Sequence, residues 1–102
     1  MERNEKLPIE VVQEKVAELQ GWDLVEEKWL TKKYRFRSYL NGIAFVNEIA
    51  TLSEDVNHHP FISIDYLVVT IKLSSWAAKG VTELDFHLTE QYDNLYENIL
   101  GK

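Results

Sequence analysis

Cysteine is absent from the 102-residue sequence, which excludes a disulfide framework, a thiolate zinc site and a thiol nucleophile. The absence agrees with a reducing compartment. Basic charge is also scarce: 11 lysines and arginines face 17 aspartates and glutamates, a formal net charge of −6. That balance argues against a nucleic-acid partner, because neutralising a phosphate backbone takes a clustered basic surface. No stretch approaches the roughly 18 consecutive apolar residues of a membrane helix, so no membrane partner is expected. The start, Met1 to Lys6, carries both signs of charge with no apolar run behind it, and a secretory signal is not expected either. A Gly-rich phosphate loop and a Gly-x-Ser-x-Gly elbow are both missing. The expectation is a soluble cytoplasmic protein whose chemistry draws on carboxylates, hydroxyls and three imidazoles.

With 45% hydrophobic and 27% charged residues the chain has an ordinary globular composition, and its length fits one domain with one core. Residues 1–7 read as a flexible N-terminus and 8–102 as the domain. Pro8 suits the first position of a helix. Ile9, Val12, Val16 and Leu19 follow at helical spacing, and Gly21 supplies a left-handed stop. The first helix is therefore expected over Pro8 to Gln20. Trp22 to Val25 and Trp29 to Arg37 read as strands joined by the polar link Glu26-Glu27-Lys28, although the glycine of the tightest hairpins is missing. Tyr34 and Phe36 alternate with Lys33, Arg35 and Arg37, the pattern of a sheet with one wet face. Lys32, Lys33, Arg35 and Arg37 form the one basic cluster, read as that solvated face.

Ser38 is a good N-cap, and the apolar rhythm from Leu40 to Leu52 predicts a second helix over Tyr39 to Ser53. This helix is apolar on more than one side. It either packs on its own sheet and also on a partner, or lies deeply buried at the centre. Phe61 to Ser75 is too long for one ordinary strand, and its polar parity switches near Asp65-Tyr66, so a bend or a tight hairpin is expected there. Thr82 caps a last helix with Asp85 at its third position, close to a capping box. Leu84, Leu88, Tyr92, Leu95 and Ile99 form its stripe. The fold class is α+β, in the order α-β-β-α-β-β-α, with a four-stranded antiparallel sheet and three helices on one face.

Two of the three histidines are adjacent, in Glu54-Asp55-Val56-Asn57-His58-His59-Pro60. This segment reads as a loop between a helix end and a strand, a common seat for catalytic groups. Pro60 confines His59 to extended geometry, so the neighbouring imidazoles diverge from a rigid segment. Such a pair can accept and donate protons around one small substrate near neutral pH; it can also be a solvated surface pair. Consecutive histidines seldom chelate one ion, and no His-Glu-x-x-His spacing accompanies them, so no metal site is expected. His87 reads as a surface residue. Asp85 reads as a cap or a helix-dipole partner. Ser74-Ser75-Trp76 ends a strand, either offering hydroxyls to a ligand or simply packing its tryptophan.

Glu54, three residues, His58-His59-Pro60, five residues, Tyr66, nine residues, Trp76, eight residues and Asp85 resemble the signature of the pterin-4a-carbinolamine dehydratases. The element order, the Gly21-Trp22 step and the Lys-Tyr-Arg-Phe strand extend the resemblance over most of the chain. The resemblance implies a hydro-lyase that dehydrates 4a-hydroxytetrahydropterin to quinonoid dihydropterin, with no metal and no cofactor. It puts His58 and His59 at the family's catalytic histidine positions, Glu54 and Asp85 at acidic positions lining the site, and Pro60, Ser74 and Ser75 beside the ligand. Trp76 stands where many members carry a third histidine, which leaves His58 and His59 as the imidazoles available; its indole is expected to wall the pterin ring. A homodimer or homotetramer and a functional link to an aromatic amino acid hydroxylase are further implications. The alternative within the same resemblance is a non-catalytic dimerisation or assembly scaffold.

Overall fold

The computed structural model describes residues 5–101. Its elements are α1 (Ile9–Ala17), β1 (Asp23–Val25), β2 (Trp29–Arg35), α2 (Tyr39–Val56), β3 (Phe61–Asp65), β4 (Val68–Leu73) and α3 (Glu83–Leu100). All neighbouring strands are antiparallel, in the order β1-β2-β4-β3. α2 therefore carries the chain from the inner strand β2 to the far edge strand β3, and β4 returns between them. No helix among the described residues is long and apolar enough to cross a membrane.

Alternation along the two inner strands builds the core. Leu30, Tyr34, Val69, Ile71 and Leu73 face the helices and are buried with Phe45 and Ile49 of α2 and Leu88 and Tyr92 of α3. Full burial of each large apolar side chain contributes about 1.5–3 kcal/mol before entropy is charged against it. Lys32 shares the parity of Tyr34. It belongs to the helix-facing side and not to the solvated basic face expected for it. Its ammonium lies 2.9 Å from Asp93 Oδ1 on α3 and donates to the Gln20 carbonyl at 2.9 Å. The Tyr34 hydroxyl donates to the same Asp93 oxygen at 2.6 Å. Burial, and then the Asp93 carboxylate, push the Tyr34 phenol far above its ordinary value.

Local chemistry accounts for most boundaries. Pro8 caps α1 from outside, and the helix ends at Ala17 because Glu18 and Leu19 turn to tighter bonds with Lys15 and Val16 carbonyls, short of the expected Gln20. Gly21, at φ +80°, supplies the left-handed turn before β1. The β1–β2 hairpin turns on Glu26 and Glu27 at φ 53° and 59°, closed by Lys28 N–H to Val25 carbonyl at 3.2 Å. Two non-glycine residues thus occupy the left-handed positions of a type I′ turn. The Ser38 hydroxyl accepts from the Asn41 N–H at 3.1 Å and starts α2. Of the bend or hairpin expected near Asp65, the chain makes the hairpin, turning on Tyr66 and Leu67 with Tyr66 at φ 55°. The flexible stretch expected over residues 1–7 falls partly outside the described residues. Within the described part, Leu7 is buried and its N–H bonds the Val81 carbonyl at 2.9 Å.

Candidate active site

α2 runs three residues beyond the expected Ser53, so Glu54 sits in its last turn and not in a loop. Asn57 then takes a left-handed conformation at φ 55°, which asparagine tolerates well. The Ser53 carbonyl accepts from the N–H of His58 at 3.1 Å, and the chain leaves the helix sharply. His58 and His59 follow at once, and Pro60 leads into β3.

Each imidazole meets a different carboxylate. His58 Nε2 lies 2.8 Å from Asp85 Oδ1, and His59 Nε2 lies 2.6 Å from Glu54 Oε2. The surroundings of the two pairs differ sharply. Asp85 is fully buried and the His58 side chain is 15% exposed, whereas His59 and Glu54 are 53% and 78% exposed. Asp85 divides its oxygens between two tasks. Oδ2 completes the capping box of α3, accepting from the Thr82 N–H at 2.9 Å, and accepts from the Ser75 hydroxyl at 2.7 Å. Oδ1 is left for His58. Asp85 is therefore the cap expected for it and, through its other oxygen, the partner of an imidazole. Thr82, 0% exposed and 2.9 Å from Ser75 Oγ, is a member of this network whose sequence pattern signals only a cap.

A cleft of about 450 Å³ opens over the pairs, within the usual range for a small-molecule site. His58, His59, Pro60, Ser75 and Trp76 line it, together with Asn57, Phe61, Ala77, Ala78 and Leu84. Of the expected site residues, Glu54 reaches the cleft through His59, and Asp85 stands behind His58. Ser74 lines a second, adjoining cavity instead. Trp76 is 64% exposed and forms a cluster with Phe61 and Trp29, its ring centre 5.7 Å and 5.4 Å from theirs. Phe61 and Trp29 carried no signal beyond ordinary strand hydrophobicity, since only strand order brings β2 and β3 side chains together at this end of the sheet. His87 is exposed, as expected. Tyr66, part of the signature, lies at the opposite end of the β3–β4 hairpin, stacked on Tyr39 at 6.5 Å. Among the described residues no three His, Asp or Glu side chains converge as a metal-ligating set.

The fold and this site define a small α+β protein that gathers two imidazole–carboxylate pairs at one cleft. The chain belongs to the pterin 4 alpha carbinolamine dehydratase family, whose sequence model matches residues 5–95. A protein of Herpetosiphon aurantiacus, provisionally assigned as a pterin-4-alpha-carbinolamine dehydratase, is 39% identical over 85 residues, covering 83% of this chain and 88% of its own. One of Sinorhizobium medicae with the same provisional assignment is 36% identical over 96 residues, 93% of this chain and 91% of its own. Among solved structures, a transcriptional coactivator/pterin dehydratase from Brucella melitensis superposes with a TM-score of 0.83 at 25% identity, over 89% of this chain and 98% of that one. A pterin dehydratase-like protein identified as a RuBisCO assembly factor in the alpha-carboxysome gives 0.65 at 26% identity, over 78% of this chain and 96% of that one.

Proposed function

We propose that the protein dehydrates 4a-hydroxytetrahydropterin to quinonoid dihydropterin by histidine acid–base catalysis, returning an oxidised tetrahydropterin to the recycling path of an aromatic amino acid hydroxylase. The observation that carries this reading is the pair of imidazoles, each bonded to its own carboxylate, opening on one cleft of small-molecule size. In the reaction the C4a–O bond breaks as the departing hydroxyl takes a proton, the N5 proton leaves to a base, and the N5 electrons form the C4a=N5 double bond. Water is the only other product. One acid and one base suffice, and imidazole can be either near neutral pH.

In this proposal His59 is the main acid–base group, because its exposure lets it exchange protons with solvent between turnovers. His58, anchored by buried Asp85, mainly binds and orients the pterin. Pro60, Ser75 and Trp76 wall the ring, with Trp76 in the position that a third imidazole would otherwise fill. The test is the absorbance decay of enzymatically generated 4a-hydroxytetrahydropterin with and without the protein. Decay no faster than the spontaneous dehydration refutes the activity. His58→Ala and His59→Ala should both slow it, His59→Ala the more; equal and slight losses would sink the acid–base assignment.

A specific surface favours a second reading, an assembly role of the same fold. Tyr39 and Leu40 of α2 and Ile64 and Tyr66 at the β3 edge are 48%, 74%, 39% and 73% exposed, an unusual concentration of large apolar side chains. The same surface motivates a homodimer or homotetramer through α2 or the sheet edge. Light scattering at micromolar concentration tests it, and a monomer mass counts against it.

A further inference from the structure

Beside the histidine cleft lies a second cavity of about 280 Å³, lined by Lys28, Trp29, Ser74, Ser75, Trp76 and Lys79. Ser75 and Trp76 also line the histidine cleft, so the two spaces share a wall. Its lining holds two lysines, one serine beyond the shared wall and no acidic residue. In a chain of net charge −6 that local balance runs against the whole. Glu27, next to Lys28, lines a different depression with Lys6 and Leu7. Neither Lys28 nor Lys79 forms an ion pair among the described residues.

The backbone that holds these lysines is strained at both sides. Lys28 closes the turn whose central residues Glu26 and Glu27 have φ 53° and 59°. Lys79 itself is left-handed at φ 62°, in a four-residue loop closed by reciprocal Ser75–Gly80 backbone bonds of 3.0 and 3.3 Å. A non-glycine residue in that region costs about 1 kcal/mol or more, yet the glycine of this loop stands one place later, at Gly80. The strained position carries a lysine that lines the cavity. Trp29 is stacked on Phe61 at 5.4 Å, and Lys72 Nζ lies 4.4 Å from its ring centre, so one wall of the space is braced by its neighbours.

We infer that the Lys28–Lys79 cavity is a subsite for an anionic group on the substrate's side chain, making the preferred ligand a pterin whose C6 substituent ends in a phosphate ester. The inference rests on the pterin reading of the histidine cleft and extends it. The chemistry of the ring supplies the direction. In a pterin C6 adjoins N5, so a C6 substituent leaves the ring beside the atom that loses its proton and must pass out of the cleft near the histidines. Trp76 is the boundary it crosses, into a space where two ammonium groups and the Ser74 hydroxyl can share a phosphate.

Calorimetric titration of the whole protein with 6-hydroxymethyl-7,8-dihydropterin and with its monophosphate tests the subsite. The phosphate ester should bind about tenfold tighter at 50 mM salt, and the advantage should shrink at 500 mM because the lysines are exposed and screened. A folded Lys28→Gln/Lys79→Gln double variant should bind the two pterins alike. Equal affinities in the wild type overturn the subsite and leave the pterin reading standing. A phosphate preference that survives in the double variant, or that ignores salt, also overturns the subsite. Inorganic phosphate binding as tightly as the ester overturns the tethered arrangement and makes the cavity a free-anion site. Failure of both pterins to bind folded protein overturns the pterin reading, and this one with it.

Discussion

Asp85→Asn is the substitution on which the site's organisation can be tested most directly. The carboxylate is wholly buried, and its two oxygens accept from Ser75 and Thr82 while pairing with His58 at 2.8 Å. Asparagine keeps the shape and can keep one oxygen toward Ser75 and Thr82. Its amide nitrogen must then face His58 Nε2 as a donor. The imidazole can satisfy that contact only by accepting at Nε2 and carrying its proton at Nδ1, the reverse of the tautomer that donates Nε2–H to a carboxylate. The free ring nitrogen changes from acceptor to donor, so the role proposed for His58 is inverted without a change of shape. Stability falls for a separate reason: three charge-assisted bonds become neutral ones, each weaker by about 1 kcal/mol, for a loss of about 2–3 kcal/mol. In a domain of this size that lowers Tm by roughly 10–20 °C. Asp85→Ala is worse, about 3–5 kcal/mol, because the Ser75 and Thr82 donors are stranded in the interior.

Glu54→Gln provides the contrast. The His59–Glu54 distance is the shorter of the two at 2.6 Å, yet both side chains are more than half exposed. Solvent screening limits an exposed pair to about 1 kcal/mol or less. Denaturant titration of Asp85→Asn and Glu54→Gln side by side should therefore show a large and a small loss, in that order. Equal losses would refute the claim that burial, not distance, ranks the pairs. The kinetic half is a double-mutant cycle in the dehydration assay. If Asp85 acts through His58, the His58→Ala/Asp85→Asn double variant is no slower than His58→Ala. A further loss in the double variant would refute that route.

Three other outcomes follow from the fold. Glu26→Asn with Glu27→Gly should stabilise the protein by about 1 kcal/mol in thermal melts, because the replacements accept the left-handed positions now held by two glutamates. Asp93→Ala should cost about 2–3 kcal/mol in denaturant titration, since it strands the buried Tyr34 hydroxyl and frees the Lys32 ammonium. Stability should also fall on alkaline titration: burial raises both Tyr34 and Tyr92 well above the ordinary 10.0. Above about pH 10 the unfolded chain then binds fewer protons than the native one, and the stability present at lower pH is lost by about 1.4 kcal/mol per pH unit for each tyrosine. Tyr34→Phe and Tyr92→Phe should each flatten that alkaline slope in melts from pH 9 to 11; an unchanged slope would refute the buried, neutral phenols.

Most of the architecture was written in short-range patterns. Ser38 and Thr82 marked helix starts because capping uses neighbours in sequence, and the parity break at Asp65-Tyr66 marked a hairpin because side chains alternate across a strand. Lys32 was legible too, since it shares the parity of Tyr34, but grouping it with nearby charges hid that signal. The end of α2 was not legible. Ser53, Glu54 and Asp55 break the apolar rhythm, yet Val56 still packs against the core and Asn57 terminates the helix without glycine or proline. Those three extra residues bring Glu54 to within hydrogen-bond distance of His59, so a small boundary error changes a loop carboxylate into the partner of an imidazole.

The two carboxylates owe their difference to the elements that carry them. Glu54 and His59 lie five residues apart across one helix end, and a pair formed so locally stays at the surface, where the chain turns. Asp85 and His58 are 27 residues apart and meet only because β3 and β4 fold back and deliver Ser75, Thr82 and the start of α3 beneath the histidine loop. Burial of Asp85 is therefore a consequence of topology, and the capping box makes it tolerable by occupying Oδ2 with donors that the helix start must satisfy anyway. A local motif can predict that a carboxylate sits there. Only the fold determines that its second oxygen is left over, desolvated, and pointed at an imidazole, which is why one pair is enclosed by the core and the other stays in contact with solvent.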